Sequence, residues 1–167
     1  MDKTERDTHE NQTLTLPAHA DDEEDRDALD ELRALPKSNR LARADIEDEI
    51  LTAFDRSPEA LALPEPPIDL ELNTDAPFVL SNLVAEWFDV TIASLQPHHL
   101  EEALFQMIPR MVPLEPEDAR KFIDQATAFV RFLDRAHVFP QAPELLRVLG
   151  GDTPARFEAR LRELREP

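Results

Sequence analysis

PEDARKFIDQATAFVRFL, residues 116–133, is the stretch on which the fold turns. Ala119, Phe122, Ile123, Ala126, Phe129, Val130 and Leu133 recur in it at intervals of three and four, the spacing of a core-facing helical stripe. Pro116 opens the helix at a position whose N–H would have no partner anyway. Glu117 and Asp118 suit the positive end of the helix dipole, and Glu117 with Lys121 makes a supportive i,i+4 pair.

Working outward, the same signals repeat. Asp75 caps a helix carrying Phe78, Val79, Leu83, Val84, Trp87 and Phe88, and the last two continue its broad apolar face toward the core. Pro97 opens another with Leu100, Leu104, Met107 and Ile108, which Pro109 ends. Pro143 starts a short helix with Leu145, Leu146, Val148 and Leu149, stopped by Gly150-Gly151. Thr153-Pro154 caps the last, with Phe157, Leu161 and Leu164. Connections are short, so neighbouring helices pack as antiparallel hairpins. The pattern predicts an all-α protein, a small helical bundle of short proline-capped helices.

The N-terminal part reads differently. Residues 1–27 are polar, and Asp21-Asp22-Glu23-Glu24-Asp25 repels itself while burying nothing, so the segment cannot recover its ordering entropy. Leu29, Leu32 and Leu35 recur at intervals of three before Pro36, enough for a helical turn or two that needs a docking surface. Ile46, Ile50, Leu51 and Phe54 share one stripe, and Ser57-Pro58-Glu59 reads as a cap with proline at the first helical position. Pro64-Glu65-Pro66-Pro67 is stiff and extended, and Ile68-Asp69-Leu70-Glu71-Leu72 alternates as an extended segment packed on helices. The expected organisation is a disordered acidic arm over residues 1–44, short helices and a proline-rich strap over 45–67, and the bundle over 68–167.

Composition narrows the function classes. The 167 residues carry a formal charge of -18, with 36 acidic against 18 basic side chains. Residues 68–118 hold 10 acids and 1 base, whereas residues 119–167 hold 7 acids and 9 bases. A phosphate backbone is repelled by most of such a surface, so direct nucleic-acid binding is not expected, and a basic protein partner is favoured. With no cysteine there is no disulfide, thiolate metal site or cysteine nucleophile. No apolar run reaches the length of a membrane span, and the start Met1–Asp7 lacks the apolar region of a secretory signal, so the expected compartment is the cytoplasm.

Candidate chemistry is sparse. His98 and Glu102, at i,i+4 beside His99, could face one metal ion, but zinc takes three or four ligands and no third histidine lies near in sequence. Exposed first-turn histidines are the better account. Ser38, Ser57, Ser81 and Ser94 lie in no strand–turn–helix elbow, and no phosphate-cradling glycine motif is present. Neither a catalytic residue nor a cofactor is expected.

Phe105-Gln106-Met107-Ile108-Pro109-Arg110, the start Glu115-Pro116-Glu117-Asp118 and the aromatic run Phe129-Val130-Arg131-Phe132-Leu133 are similar to parts of a helical domain of unknown function found beside SEC-C zinc motifs. The likeness covers Leu100 to Leu149. Met111 departs from the basic residue usual there, and the cysteine-rich tail is absent. The resemblance implies a helical fold and an accessory or adaptor role, with no catalytic residue to carry over. The expected function is a non-catalytic protein–protein interaction module that docks through Leu29, Leu32 and Leu35. The alternative is an acidic inhibitor, antitoxin-like or a DNA mimic, that covers a basic partner.

Overall fold

The computed structural model describes residues 28–36, 38–64 and 75–165. In chain order the helices are α1 (28–34), α2 (Arg40–Asp55), α3 (Pro58–Leu61), α4 (Ala76–Trp87), α5 (Pro97–Glu102), α6 (Ile108–Met111), α7 (Ala119–Ala136), α8 (Ala142–Leu149) and α9 (Thr153–Arg165). Short 3-10 turns lie at Ile92–Ser94 and Pro116–Asp118, and no strand occurs among the described residues. The protein is an all-α bundle.

Helix α7 is its hub, touching α3, α4, α8 and α9. Phe122, Phe129 and Leu133 are buried as the stripe predicts, and Ala128 and Phe132 widen the buried face. The exposed positions Arg120, Asp124, Arg131, Asp134 and Arg135 keep to one side of the helix. Phe54 of α2 meets Phe129 and Phe132 edge-on, with ring centroids 5.2 and 5.6 Å apart, and Phe157 of α9 lies 5.6 Å from Phe122. Such aromatic contacts add about 0.5–1.5 kcal/mol each beyond the area they bury.

Polar side chains tie off the helix ends. Ser57 Oγ donates to the Phe54 carbonyl at 2.6 Å and accepts from the Ala60 N–H at 3.1 Å, joining the end of α2 to the start of α3. Gln125, buried within α7, accepts the Ala76 N–H at 3.0 Å and so caps α4 across the bundle. Glu59 of α3 takes Arg135 of α7 in a two-point ion pair, Nε to Oε2 at 2.7 Å and Nη2 to Oε1 at 2.9 Å. That bond holds the Glu59 carboxyl below the usual glutamate range.

Pro109 does not end its helix. The chain runs from α5 through a π turn, Ala103–Met107, into α6. In an uninterrupted α-helix the Phe105 carbonyl would accept from residue 109, which is proline and has no N–H. Arg160 of α9 supplies the donor, its Nε lying 2.9 Å from that carbonyl, while the Arg156 guanidinium lies 4.8 Å from the centroid of the Phe105 ring. Arg165 donates to the Val112 and Leu114 carbonyls just beyond α6, at 2.9 and 2.7 Å. Arginine-to-carbonyl bonds thus join burial of Phe157 and Leu161 in fastening α9.

The expected boundary at residue 44 is corrected by the packing. Residues 28–34 are helical, α2 already begins at Arg40, and Leu29, Leu32, Ile50 and Phe54 belong to the same apolar core as α7. The expected arm over residues 1–27, Glu65–Pro67 of the strap and the extended segment 68–72 lie outside the described residues. Trp87 also departs from expectation. It is 55% exposed at the last turn of α4, where the helix overruns the core that Leu83 and Val84 reach.

Candidate functional site

Ionisable side chains converge in a cleft between α2 and α4. Asn39 starts α2, its side chain accepting the Ala42 N–H. Arg40, Arg43, Ala44 and Glu47 then fall at spacings of three and four, so one face of the helix forms one wall. Asn82, Ala85, Glu86 and Asp89 form the other, and the cleft encloses about 340 Å³. Ala44 and Ala85 are the small side chains among these walls.

The charges of this cleft are unequal in their access to water. The Arg43 side chain is only 9% exposed and reaches Asp89 at 3.8 Å across the cleft. Asp89 has φ of 56°, the left-handed region, which aspartate tolerates better than bulkier residues. The Val84 carbonyl receives the N–H groups of both Phe88 and Val90, so the chain turns sharply with Asp89 at the bend. Burial pushes Glu47 up from the ordinary 4.5 to about 7, against the opposing pull of the Arg43 charge.

A second cleft of about 460 Å³ lies between α3 and α7 and reaches Pro64, where the described chain breaks off. Pro58, Leu63, Thr127 and Ala128 give it a more apolar lining.

No protein-family model, curated protein or solved structure matches this chain.

The side chains singled out from sequence are placed as follows. Leu29 and Leu32 are 1% and 2% exposed and Leu35 is half-buried, so this turn is spent on the protein's own core. Arg33 fastens it by donating to the Val138 carbonyl at 2.7 Å, which corrects the expectation that these leucines await a partner. His99 Nδ1 accepts the Gln96 N–H at 3.0 Å and so helps to start α5. Its ring lies 4.9 Å from Phe88 and 4.1 Å from His98, and burial first, then the His98 charge, holds it below the ordinary histidine range. No group of three His, Asp or Glu side chains placed to hold a metal occurs among the described residues. Ser81 donates its hydroxyl to the Pro77 carbonyl within α4, and Ser57 is engaged as a cap.

Sequence reading passed over Arg43 and Glu47. The signal was available: Arg43 lies three residues before Ile46 and seven before Ile50, a charged residue on the apolar stripe of α2. A long cation at such a position either reaches out of the core or finds a carboxylate at its edge.

Proposed function

We propose that this protein is a non-catalytic interaction module that docks a partner on the outer end of α4. The observation that carries the reading is Trp87, 55% exposed on a helix whose neighbouring turns are buried. Tryptophan is over-represented among the residues that dominate binding energy, because it offers a large rigid surface with one polar point. Glu86 and Asp89 flank it in sequence and are themselves exposed. The partner surface that fits is an apolar slot bordered by lysine or arginine. The excess of acid over residues 68–118 favours encounter with such a partner. The likeness of residues 100–149 to the SEC-C-associated helical domain points the same way, to an accessory role.

The experiment is affinity capture from native lysate by the full chain beside Trp87→Ala and the charge reversal Glu86→Lys/Asp89→Lys. A protein retained by the wild type, weakened by about 30-fold or more in Trp87→Ala and released by salt from the wild type is the expected result. Identical captured sets for wild type and Trp87→Ala would refute the docking assignment. The acidic-inhibitor reading is favoured by charge alone and predicts the contrary pattern, capture of a basic protein that tolerates Trp87→Ala but fails in high salt.

A further inference from the structure

We propose that the pocket where α2, α3 and α7 meet is an acidic-peptide site, and that its occupant is the run Asp21-Asp22-Glu23-Glu24-Asp25 of this chain's own N-terminal arm. The pocket shares no residue with the docking surface around Trp87.

This third pocket encloses about 240 Å³. Its ionisable lining is Arg56, just beyond the end of α2, with Arg135 and His137 at the end of α7. No carboxylate lines it. In a chain with 36 acidic and 18 basic residues that is a reversal, and the other two clefts do not share it. Glu47, Glu86 and Asp89 line the first, and Glu59 and Asp124 line the second. Arg135 holds Glu59 through Nε and Nη2, whereas Arg56 is exposed and makes no ion pair among the described residues. An acidic segment is the ligand whose charge matches such a pocket.

The arm is delivered to this corner of the bundle. Residue 28 begins α1, and Arg33 of α1 donates to the Val138 carbonyl, one residue past His137. Five helical residues from Arg33 back to residue 28 span about 7.5 Å, and three extended residues add about 10 Å. Asp25 therefore stays within about 18 Å of the Arg33 backbone, and each earlier residue of the run within about 3.5 Å more. So short a tether keeps the run at high effective concentration beside the pocket. The other gathering of arginines, on α9, is already engaged. Arg160 and Arg165 serve backbone carbonyls, Arg162 faces Glu158, and Arg156 lies over the Phe105 ring.

Composition makes the test direct. The chain has no cysteine, so His19→Cys accepts a single nitroxide two residues before the run. The tether alone holds the nitroxide nearby, so the readout is the part of its broadening that salt removes. In the full chain at low salt, the amide signals of Arg56, Ser57, Ala136 and His137 are broadened at least about twofold more than at about 1 M salt, where the Debye length is about 3 Å. Arg56→Glu, at an exposed position, abolishes that excess. So does the neutral run made by Asp21→Asn, Asp22→Asn, Glu23→Gln, Glu24→Gln and Asp25→Asn. An excess missing from the pocket, or centred on the arginines of α9, overturns the assignment. An excess that persists in the neutral run overturns it too, because apolar residues of the arm would then carry the contact.

Discussion

Arg160 and Pro109 form a pair whose coupling can be measured. Removing the guanidinium with Arg160→Ala leaves the Phe105 carbonyl without its cross-helix donor. A hydrogen bond to a charged group contributes about 1.5–3 kcal/mol. The Arg160 side chain is 22% exposed, so water replaces part of that loss, and its 3.2 Å pairing with Glu163 at the surface adds less than about 1 kcal/mol. The expected cost is therefore about 2 kcal/mol. Pro109→Ala returns an N–H at the position from which Phe105 would be served in a regular helix. In that background Arg160→Ala loses mainly its surface pairing and its alkyl packing, and costs less than about 1 kcal/mol. Whatever Pro109→Ala does by itself cancels in the double-mutant cycle, which isolates a coupling of about 1 kcal/mol. Urea unfolding of the four proteins, followed by far-ultraviolet circular dichroism, supplies the numbers. Equal costs of Arg160→Ala in the two backgrounds, within about 0.5 kcal/mol, would refute the idea that Arg160 stands in for the missing N–H.

Gln125→Leu leaves the buried Ala76 N–H without its acceptor and should cost about 1–3 kcal/mol, read as a lowered urea midpoint; a gain in stability would mean that α4 is capped otherwise. Leu32→Ala should cost about 2–5 kcal/mol and Leu32→Asp more, because the side chain is enclosed; a melting temperature within one degree or so of wild type would return this turn to the surface. Glu47 makes stability fall with pH. Its folded value of about 7 lies above the ordinary 4.5, so between those values the folded state holds more proton, and stability is lost as pH rises through that window. Screening at this partly exposed site leaves about 1–2 kcal/mol of the full linkage effect. Glu47→Gln should accordingly flatten the profile and stabilise the protein above about pH 7. A wild-type profile that rises across that window would show the sign to be wrong.

What was legible in the sequence follows from which interactions have a period. The apolar stripe of residues 116–133 has one, and with it came the hub helix, its buried Phe122, Phe129 and Leu133, and the all-α class. Caps are local, and Ser57 before Pro58 could be read from adjacent residues alone. Whether an apolar residue is covered depends on the neighbour that arrives from elsewhere in the chain. Trp87 continues the stripe of α4 but outruns its partners, whereas Leu29 and Leu32, on a turn too short to stand alone, find the core and are fastened by Arg33 at a distance of 105 residues in sequence. Pro109 misleads for the same reason: it breaks the local ladder, and the repair comes from Arg160 on another helix.

The polar residues that interrupt apolar stripes are the part of the candidate site that could have been found in advance. Gln125 falls three residues after Phe122 and four before Phe129, and Arg43 falls three before Ile46. Burying either side chain without a partner costs more than a typical stripe position gains, so each predicts a compensating group across the bundle. For Gln125 that group is a helix N–H, a neutral partner, and the result is a fixed cap. For Arg43 it includes a carboxylate at the protein's edge, Asp89, with Glu47 one turn along the same helix. One neutral donor meeting one neutral acceptor admits a single arrangement. The charged pair of Arg43 and Asp89, at 3.8 Å and well exposed on the Asp89 side, is the looser of the two tethers.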